Sequence, residues 1–221
     1  MIVVHHLDNS RSQRILWLLE ELDLDYEVVK YFRDPETNRA PPELANVHPL
    51  GKSPVIRDGE LVLAESGAII EYLLDRYGQG RLVPAAGTLE RVRYLYWLHY
   101  TEGSGMPILL LLVVFDQIEN ARVPFYLRPI TKGVASKVKA LLVQPQLDRH
   151  LDFLEAELGD DPWFAGAELT AADIQMSFAL EAAAARAGLD ASRPRLMAYL
   201  DRIHARPAYI RAIARGGPYQ L

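Results

Sequence analysis

Residues 48–73 read HPLGKSPVIRDGELVLAESGAIIEYL and predict a tight turn, a hairpin and the start of a helix in direct succession. Pro54 is followed by an apolar pair at 55–56, which indicates a short strand. Asp-Gly at 58–59 has the chemistry of a hairpin turn, and the apolar residues 61–63 supply the second strand. The chain therefore builds a compact hairpin here before a helix begins.

The helix that follows opens with Glu65 and Ser66, and its apolar residues recur at helical spacing. Those residues are Ile69, Ile70, Leu73 and Leu74. The first backbone N–H groups of a helix lack intrahelical partners, so this start favours a carboxylate or a phosphate. Glu65 can bind an ammonium group, the hydroxyl and N–H of Ser66 can bind a carboxylate, and Lys52 offers a second positive charge. The pair suits the two charged ends of an α-amino acid; the alternative is a solvated glutamate beside a serine N-cap.

The composition is that of an ordinary globular protein with a substantial core, because half of its 221 residues are apolar. A net charge of −5 with interspersed signs argues against nucleic acid as a partner. The chain has no cysteine, which excludes disulfides, CxxC redox centres, thiolate nucleophiles and cysteine-bound zinc. No metal site is expected, since the six histidines lack ligand spacing and His5 and His6 point to opposite faces of one strand. No signal peptide is recognised, so a cytoplasmic location is expected.

The first half of the chain alternates strands and helices. IVVHHL at 2–7 and YEVVKY at 26–31 predict strands on either side of a first helix over 14–22. An irregular, proline-containing connection is expected over 33–47. Together with the hairpin and its helix, the order is β-α-β-β-β-α, which suits a thioredoxin-like α/β domain over residues 1–78.

The second half is helical throughout. A Gly- and Pro-containing linker at 79–87 separates it from the first, and an all-α domain is expected over 88–221. Its first long helix is expected to end at the glycines and the proline of residues 103–107. The apolar run 108–115 has eight residues, fewer than the roughly 20 that span a bilayer, so it is expected in the core.

KSPV at 52–55, followed by ESGAIIEYL at 65–73, resembles the glutathione-binding half of the cytosolic glutathione transferases, in particular serine-type bacterial and fungal members. The resemblance implies the glutathione transferase fold, a thioredoxin-like domain followed by an all-helical one. It implies that Pro54 is cis and that the backbone of Ser53 pairs with the cysteinyl unit of glutathione. Many members have valine or isoleucine before this proline, but the contact is made by backbone. The other glutathione contacts that it implies are Glu65 and Ser66 at the γ-glutamyl end and Lys52 near the glycyl carboxylate.

In that family the loop before the first helix holds the catalytic hydroxyl, and here the loop is DNSRSQR at 8–14. Counted by the spacing of serine-type members, Ser10 matches the catalytic position, with Ser12 and Asn9 as alternatives. A free thiol has a pKa of about 8.5, and a hydroxyl that donates a hydrogen bond to sulfur favours the thiolate. Ser10 is thus expected to stabilise the nucleophile; the alternative is that both serines are helix caps.

A second resemblance to the family lies in WFAGAELTAAD at 163–173. Thr170 and Asp173 match the capping motif at the start of the family's central buried helix, where two otherwise unpaired N–H groups are satisfied reciprocally. The expected role of both residues is structural rather than catalytic.

The segment WLHYTEGSGMP at 97–107 matches the part of the helical domain that faces the glutathione sulfur in the family. There it implies an apolar pocket for the second substrate, and Glu102 is a candidate contact to the glutathione of a partner subunit. The expected pocket residues, with plain core as the alternative, are Tyr100, Met106 and Leu110. The tail 216–221 is a candidate cover for the site.

The resemblance implies an enzyme that binds glutathione as co-substrate, ionises its thiol and adds it to an apolar electrophile. Peroxide reduction by the same thiolate is a second possible reaction, whereas reduction through an enzyme cysteine is excluded. The alternative is a non-catalytic binding module, because this fold also occurs in protein complexes without chemistry. A homodimer is implied by the family, and the identity of the second substrate is not predicted.

Overall fold

The computed structural model describes residues 1–217, and a four-stranded sheet organises the first half. The strands are β1 (Ile2–Leu7), β2 (Tyr26–Tyr31), β3 (Val55–Asp58) and β4 (Leu61–Ala64). They lie in the order β2-β1-β3-β4, with β1 and β2 parallel and the other two pairings antiparallel. His5 of β1 lies opposite Val55 at the start of β3, so the end of β1 meets the turn around Pro54.

Three helices complete this half, and together with the sheet they form the thioredoxin-like arrangement predicted from the sequence. They are α1 (Ser12–Glu21), α2 (Glu43–Val47) and α3 (Ser66–Tyr77). The short α2 lies inside the connection that was expected to be irregular. The apolar residues of α1 are buried on all sides, which marks it as a central helix of the whole molecule rather than a surface helix.

The second half is the predicted all-helical region. Its helices are α4 (Leu89–Tyr100), α5 (Met106–Glu119), α6 (Arg128–Val138), α7 (Gln144–Leu158), α8 (Ala171–Arg186), α9 (Pro194–His204) and α10 (Pro207–Gly216). α8 lies at the centre: its first eleven residues are all buried, and it packs against α1, α4 and α9. The sequence pattern did not predict α6, which follows an irregular, proline-containing connection over 120–127 and has a second proline in its first turn.

The first long helix does not end at residues 103–107, contrary to the expectation from their glycines and proline. α4 continues through a π-helical turn, Thr101–Gly105, in which the N–H of Met106 donates to the carbonyl of Thr101. A second π-helical turn joins α6 to α7. Pro107 falls in the first turn of α5, where a missing N–H is tolerated, so the wider turn carries the helix past the proline.

The apolar run 108–115 is only partly in the core, which corrects the expectation that it is buried. Ile108, Leu109 and Leu112 are buried, but Leu110 is 61% exposed. Eight residues make about two helical turns, and here one side of the helix faces outward, since Leu111 and Val114 are exposed as well. The continuous stretch Leu89–Glu119 is long and apolar enough to cross a membrane by length and composition alone. It packs against α8 and α6 in the helical bundle, and 33% of its most apolar window is buried.

A capping box starts α8. The carboxylate of Asp173 accepts the N–H of Thr170 at 2.9 Å on one oxygen and the N–H of Phe164 at 2.9 Å on the other, where Tyr199 also donates at 3.2 Å. Complete burial raises the pKa of Asp173 to about 6, although these hydrogen bonds oppose the shift. Asp173 therefore ties the preceding loop, α8 and α9 together.

The last helix of the described chain, α10, returns to the first half and packs along α1. The ring of Tyr209 meets that of Trp17 edge to face at 5.4 Å. Arg206, just before α10, pairs with Glu21 at the end of α1 at 2.6 Å. The two halves are thus joined by a helix that is far away in sequence.

Candidate functional site

The turn between α2 and β3 fixes Ser53 against the end of β1. The Ser53–Pro54 peptide bond is cis. The Ser53 hydroxyl donates to the carbonyl of His5 at 2.8 Å and accepts the N–H of Leu7 at 3.2 Å. The side chain is therefore used inside the fold, bound to both neighbours of His6 in β1.

The loop after β1 brings Ser10 to the same point. Ser10 is 6% exposed, and its hydroxyl donates to the carbonyl of Leu7 at 2.7 Å. Because the N–H of Leu7 donates to Ser53 and its carbonyl accepts from Ser10, the two predicted site residues are held by the backbone of the same residue at the end of β1. Ser12 is fully buried and its hydroxyl lies 2.8 Å from that of Ser10.

Asn9, the remaining alternative in this loop, shapes the backbone. Its φ of +48° lies in the left-handed region, which asparagine tolerates better than most residues. Its carbonyl accepts from Arg33 at 3.3 Å. Asn9 thus turns the chain from β1 toward α1 between two buried segments.

The start of α3 presents the second cluster of predicted residues. Glu65 is exposed and adopts φ +70° and ψ 119°, a sparsely populated conformation for a residue with a side chain. Ser66 is buried, and its hydroxyl accepts a hydrogen bond from Arg14 at 3.0 Å. Lys52 is exposed beside the cis-proline turn. The free N–H groups of α3, the Ser66 hydroxyl and a nearby guanidinium make this a place for an anion.

Arg14 is a site residue that the sequence argument missed. Its side chain is 1% exposed and donates to Glu102 at 2.7 Å, to the carbonyl of Gln175 at 2.7 Å and to Ser66. Burial lowers the pKa of Arg14 to about 10, against the opposing effect of Glu102. The available signal was an arginine within the buried stripe of α1, a position where a charge needs partners.

Glu102 lies in the π-helical turn and holds two arginines. Its carboxylate pairs with Arg14 and, at 2.5 Å, with Arg11. Burial pushes the pKa of Glu102 upward, but the two guanidinium groups outweigh it and the pKa lies below its ordinary value. Within the chain, Glu102 joins the helical half to α1 and to the loop that carries Ser10, and its contact to a partner's glutathione stays a prediction.

The three residues expected around the second substrate occupy different surroundings. Tyr100 points into the helical bundle, where its hydroxyl lies 2.5 Å from Nδ1 of His150 and its ring packs against Phe153. It lines a small apolar cavity together with Leu151 and Met176. Met106 is half-buried, and Leu110 faces outward. The tail 216–221 falls mostly outside the described residues.

A larger cleft, with a volume of about 700 Å³, lies elsewhere. It is lined by residues of the segments 82–93 and 161–170. Ser10, Ser53 and Ser66 do not contribute to it, so this cleft is separate from the cluster at the end of β1. Within residues 1–217 no group of three or more side chains is arranged to hold a metal ion.

Comparison with known proteins bears on both halves of the chain. Residues 1–75 match the family model of the glutathione S-transferase N-terminal domain, and residues 114–207 match that of the C-terminal domain. Glutathione S-transferase 3 of Schizosaccharomyces pombe is 38% identical over 183 residues, which cover 83% of this chain and 74% of the relative. Glutathione S-transferase 1 of Saccharomyces cerevisiae is 36% identical over 190 residues, 83% of this chain and 81% of the relative.

Solved structures agree with these relatives. The crystal structure of a glutathione S-transferase from Actinobacillus pleuropneumoniae has a TM-score of 0.80 and 36% identity, and the alignment covers 98% of this chain and 93% of that one. A sphingomonad glutathione S-transferase solved in complex with glutathione has a TM-score of 0.72 and 26% identity, with coverage of 97% and 98%. The likeness therefore extends over both halves rather than over the sheet alone.

Proposed function

The chain belongs to the glutathione S-transferase family, and on that premise we propose that glutathione binds across the end of β1 with its sulfur beside Ser10. The protein is a glutathione transferase, an enzyme that conjugates the thiol of glutathione to electrophiles, as its fungal relatives at 36–38% identity are named. The proposal concerns which residues of this chain do that work. One observation carries it, namely that Ser10 and Ser53 are both hydrogen-bonded to the backbone of Leu7.

The γ-glutamyl end of glutathione has an ammonium and a carboxylate, and the start of α3 offers a partner for each. Glu65 takes the ammonium. The Ser66 hydroxyl and the unpaired N–H groups of α3 take the carboxylate, and Arg14 adds a positive charge behind Ser66 at 3.0 Å. Lys52 takes the glycyl carboxylate at the other end of the tripeptide.

The cysteinyl unit then lies between these ends, with its backbone against that of Ser53 and its sulfur beside Ser10. Ser10 donates its hydroxyl proton to the sulfur, which favours the thiolate over the thiol. In conjugation the thiolate forms a carbon–sulfur bond, the leaving group departs with its electron pair, and the thiol proton has already passed to solvent. Ser10 is not consumed and forms no covalent bond.

The second substrate is an apolar electrophile held by the helical half. Met106 is the first residue of α5, directly after the π-helical turn that contains Glu102. It is half-buried and suits such a contact. Tyr100 and Leu110 contribute to the same pocket only if the bundle rearranges on binding, because one points inward and the other outward. Conjugation is the main reaction, and peroxide reduction by the same thiolate is the second.

The wider assignments follow the family. Residues 1–78 form the glutathione-binding domain, 79–87 the linker and 88–221 the electrophile-binding domain. The protein acts in the cytoplasm as a homodimer in which the first domain of one subunit faces the helical domain of the other. Exposed apolar side chains on β4 and α4 support that arrangement, and these are Leu61, Val62, Leu89, Val92 and Tyr96.

Calorimetric titration with glutathione tests the ligand contacts. We expect the parent to bind and Glu65→Ala to lose about tenfold or more in affinity, because a charged hydrogen bond is removed. Glu60→Ala is the matched control, since Glu60 is an exposed glutamate in the neighbouring hairpin turn. Equal affinities for the two variants would show that Glu65 is not a ligand contact.

Turnover of an aromatic chloride tests the chemistry in the same proteins. Ser10→Ala is expected to raise the pKa of the bound thiol and to lower turnover. Unchanged turnover would transfer the role to Ser12 or Asn9. A parent protein with neither glutathione binding nor turnover would favour a non-catalytic binding module.

A further inference from the structure

Behind Ser10 lies a chain of buried polar groups that the proposed chemistry does not use. Nδ1 of His6 is 2.8 Å from the hydroxyl of Ser12, which is 2.8 Å from that of Ser10. The Ser10 hydroxyl is in turn 2.7 Å from the carbonyl of Leu7. His6 is 4% exposed and Ser12 not at all, so water does not satisfy these groups instead.

Counting protons fixes the direction of this chain. Three contacts of 2.7–2.8 Å join four heavy atoms, and each of them needs one proton. The two hydroxyls supply one proton each, and the Leu7 carbonyl supplies none. The third proton must therefore come from Nδ1–H of His6. The order is then His6 to Ser12, Ser12 to Ser10, and Ser10 to the carbonyl of Leu7.

The surroundings of His6 agree with a neutral ring that has a single N–H. Burial lowers the pKa of His6 to about 4, and Lys30 on the neighbouring strand lowers it further while Asp8 opposes the shift. The ring is therefore uncharged at neutral pH, and the proton count places its one hydrogen on Nδ1 rather than Nε2.

We propose that His6 and Ser12 are positioning residues that hold the Ser10 hydroxyl as a hydrogen-bond donor to the sulfur of glutathione. The proposal rests on the role of Ser10 in the proposed function and adds the reason why that hydroxyl donates. Ser10 already accepts from Ser12, so its own proton is the one that remains to be given. A thiolate placed beside Ser10 replaces the Leu7 carbonyl as the acceptor of that proton.

Two consequences follow for the reaction. Hydrogen bonds in series polarise one another, so the donors behind Ser10 strengthen its bond to the thiolate. These hydrogen bonds also exclude Ser10 as a base. Its hydroxyl oxygen, which would take the thiol proton, already accepts from the Ser12 hydroxyl and, at 3.3 Å, from the Ser12 N–H. The thiol proton must leave by another route, directly to solvent.

The tautomer of His6 can be measured in the parent protein. Nitrogen chemical shifts of isotope-labelled histidine distinguish Nδ1–H from Nε2–H, and the His6 signal is identified by its loss in His6→Asn. We expect Nδ1–H with no change of charge across neutral pH. A ring that carries its proton only on Nε2 would overturn the proposal whatever the variants do.

The pKa of the thiol in bound glutathione, followed by the ultraviolet absorbance of its thiolate, measures the effect on chemistry. Ser12→Ala and His6→Leu are each expected to raise it by about half a unit, or threefold in thiolate at a given pH. His6→Asn keeps a donor near the place of Nδ1 and is expected to restore most of the difference. Ser177→Ala is the matched control, since Ser177 is a buried serine in α8 that donates only to a local carbonyl.

The outcomes separate this inference from the role of Ser10. If Ser10→Ala raises the thiol pKa while Ser12→Ala and His6→Leu do not, the positioning role of His6 and Ser12 is rejected and Ser10 keeps its role. If Ser10→Ala itself has no effect, both assignments fall. Calorimetry with glutathione and thermal melting identify any variant that has lost its fold, and the tautomer measurement then decides on the parent alone.

Discussion

Arg14 carries a full charge in the interior of the protein, and all three nitrogens of its guanidinium donate hydrogen bonds. It binds a carboxylate from the helical half, a carbonyl of α8 and the hydroxyl of Ser66. A buried charge is tolerated when its partners are complete, and removal of one partner leaves the other uncompensated. Arg14 therefore supports both the junction of the two halves and the Ser66 hydroxyl at the start of α3, where the carboxylate of glutathione is proposed to bind.

Replacing Arg14 tests this double role. Arg14→Met is expected to lower the free energy of unfolding by about 3 kcal/mol, because Glu102 loses its buried partner. Glutathione affinity is expected to fall about tenfold as Ser66 loses its donor. Denaturant melts and calorimetric titration give the two quantities.

Arg11→Gln is the control for that experiment, since Arg11 pairs with the same carboxylate from a side chain that is 39% exposed. An exposed ion pair contributes less than about 1 kcal/mol, and Arg11 does not touch Ser66. Equal losses in the two variants would contradict the role given to Arg14.

Single residues were predictable from sequence where a motif marks them. Ser10, Ser53, Glu65 and Ser66 stand in short recognisable patterns, although their roles remain predictions. Arg14 was not predictable in this way, because its partners Glu102 and Gln175 are 88 and 161 positions away along the chain. A cluster whose members are this far apart in the sequence forms only through tertiary packing, so no local motif marks it.

At the level of elements, the start of α8 depends on one carboxylate. Asp173 satisfies N–H groups from Thr170 and Phe164 where water cannot reach. Asp173→Ala is expected to destabilise the fold by about 3 kcal/mol, since two buried donors lose their acceptor. Thermal and denaturant melts measure that loss, and Asp161→Ala, at an exposed position of the preceding loop, serves as the control.

The same residue makes a prediction about pH. Its pKa is about 6 in the folded protein against 3.8 in the unfolded chain, so between these values the folded state binds more protons. The contribution of Asp173 to stability therefore falls as pH rises through this window. We expect the parent to gain stability relative to Asp173→Asn as the pH is lowered from 7 to 4, measured by denaturant melts at each pH. A difference that does not change with pH would mean that Asp173 keeps an ordinary pKa.

Elements with strong periodicity were predicted well, and those that depend on context were not. The strands β1 and β2 and the helices α1 and α3 follow directly from β-branched runs and from apolar spacing. The end predicted at residues 103–107 was wrong, because a π-helical turn absorbs the residues that usually stop a helix. The π-helical turn contacts α8, which lies far away along the chain, so a local sequence pattern does not reveal its surroundings.

For the whole molecule, the exposed apolar side chains of β4 and α4 predict a dimer in solution. Val92 is 62% exposed and Tyr96 50% exposed on one side of α4. Val92→Asp combined with Tyr96→Asp is expected to convert the dimer to a monomer in sedimentation velocity, because it places charges on the apolar contact. Ile210→Asp, at a 55% exposed position of α10, is the control and is expected to remain dimeric. A monomeric parent would refute the dimer.

Because α10 packs on α1, this contact can form only after nearly all of the described chain has been translated. Arg206 and its partner Glu21 are separated by 185 positions in the sequence. A similar separation lies between Trp17 and Tyr209, whose rings are in contact. At typical translation rates that interval takes roughly 10 to 40 s. During that time the first half of the nascent chain has emerged, and the ring contact between Trp17 and Tyr209 forms only after α10 has been made.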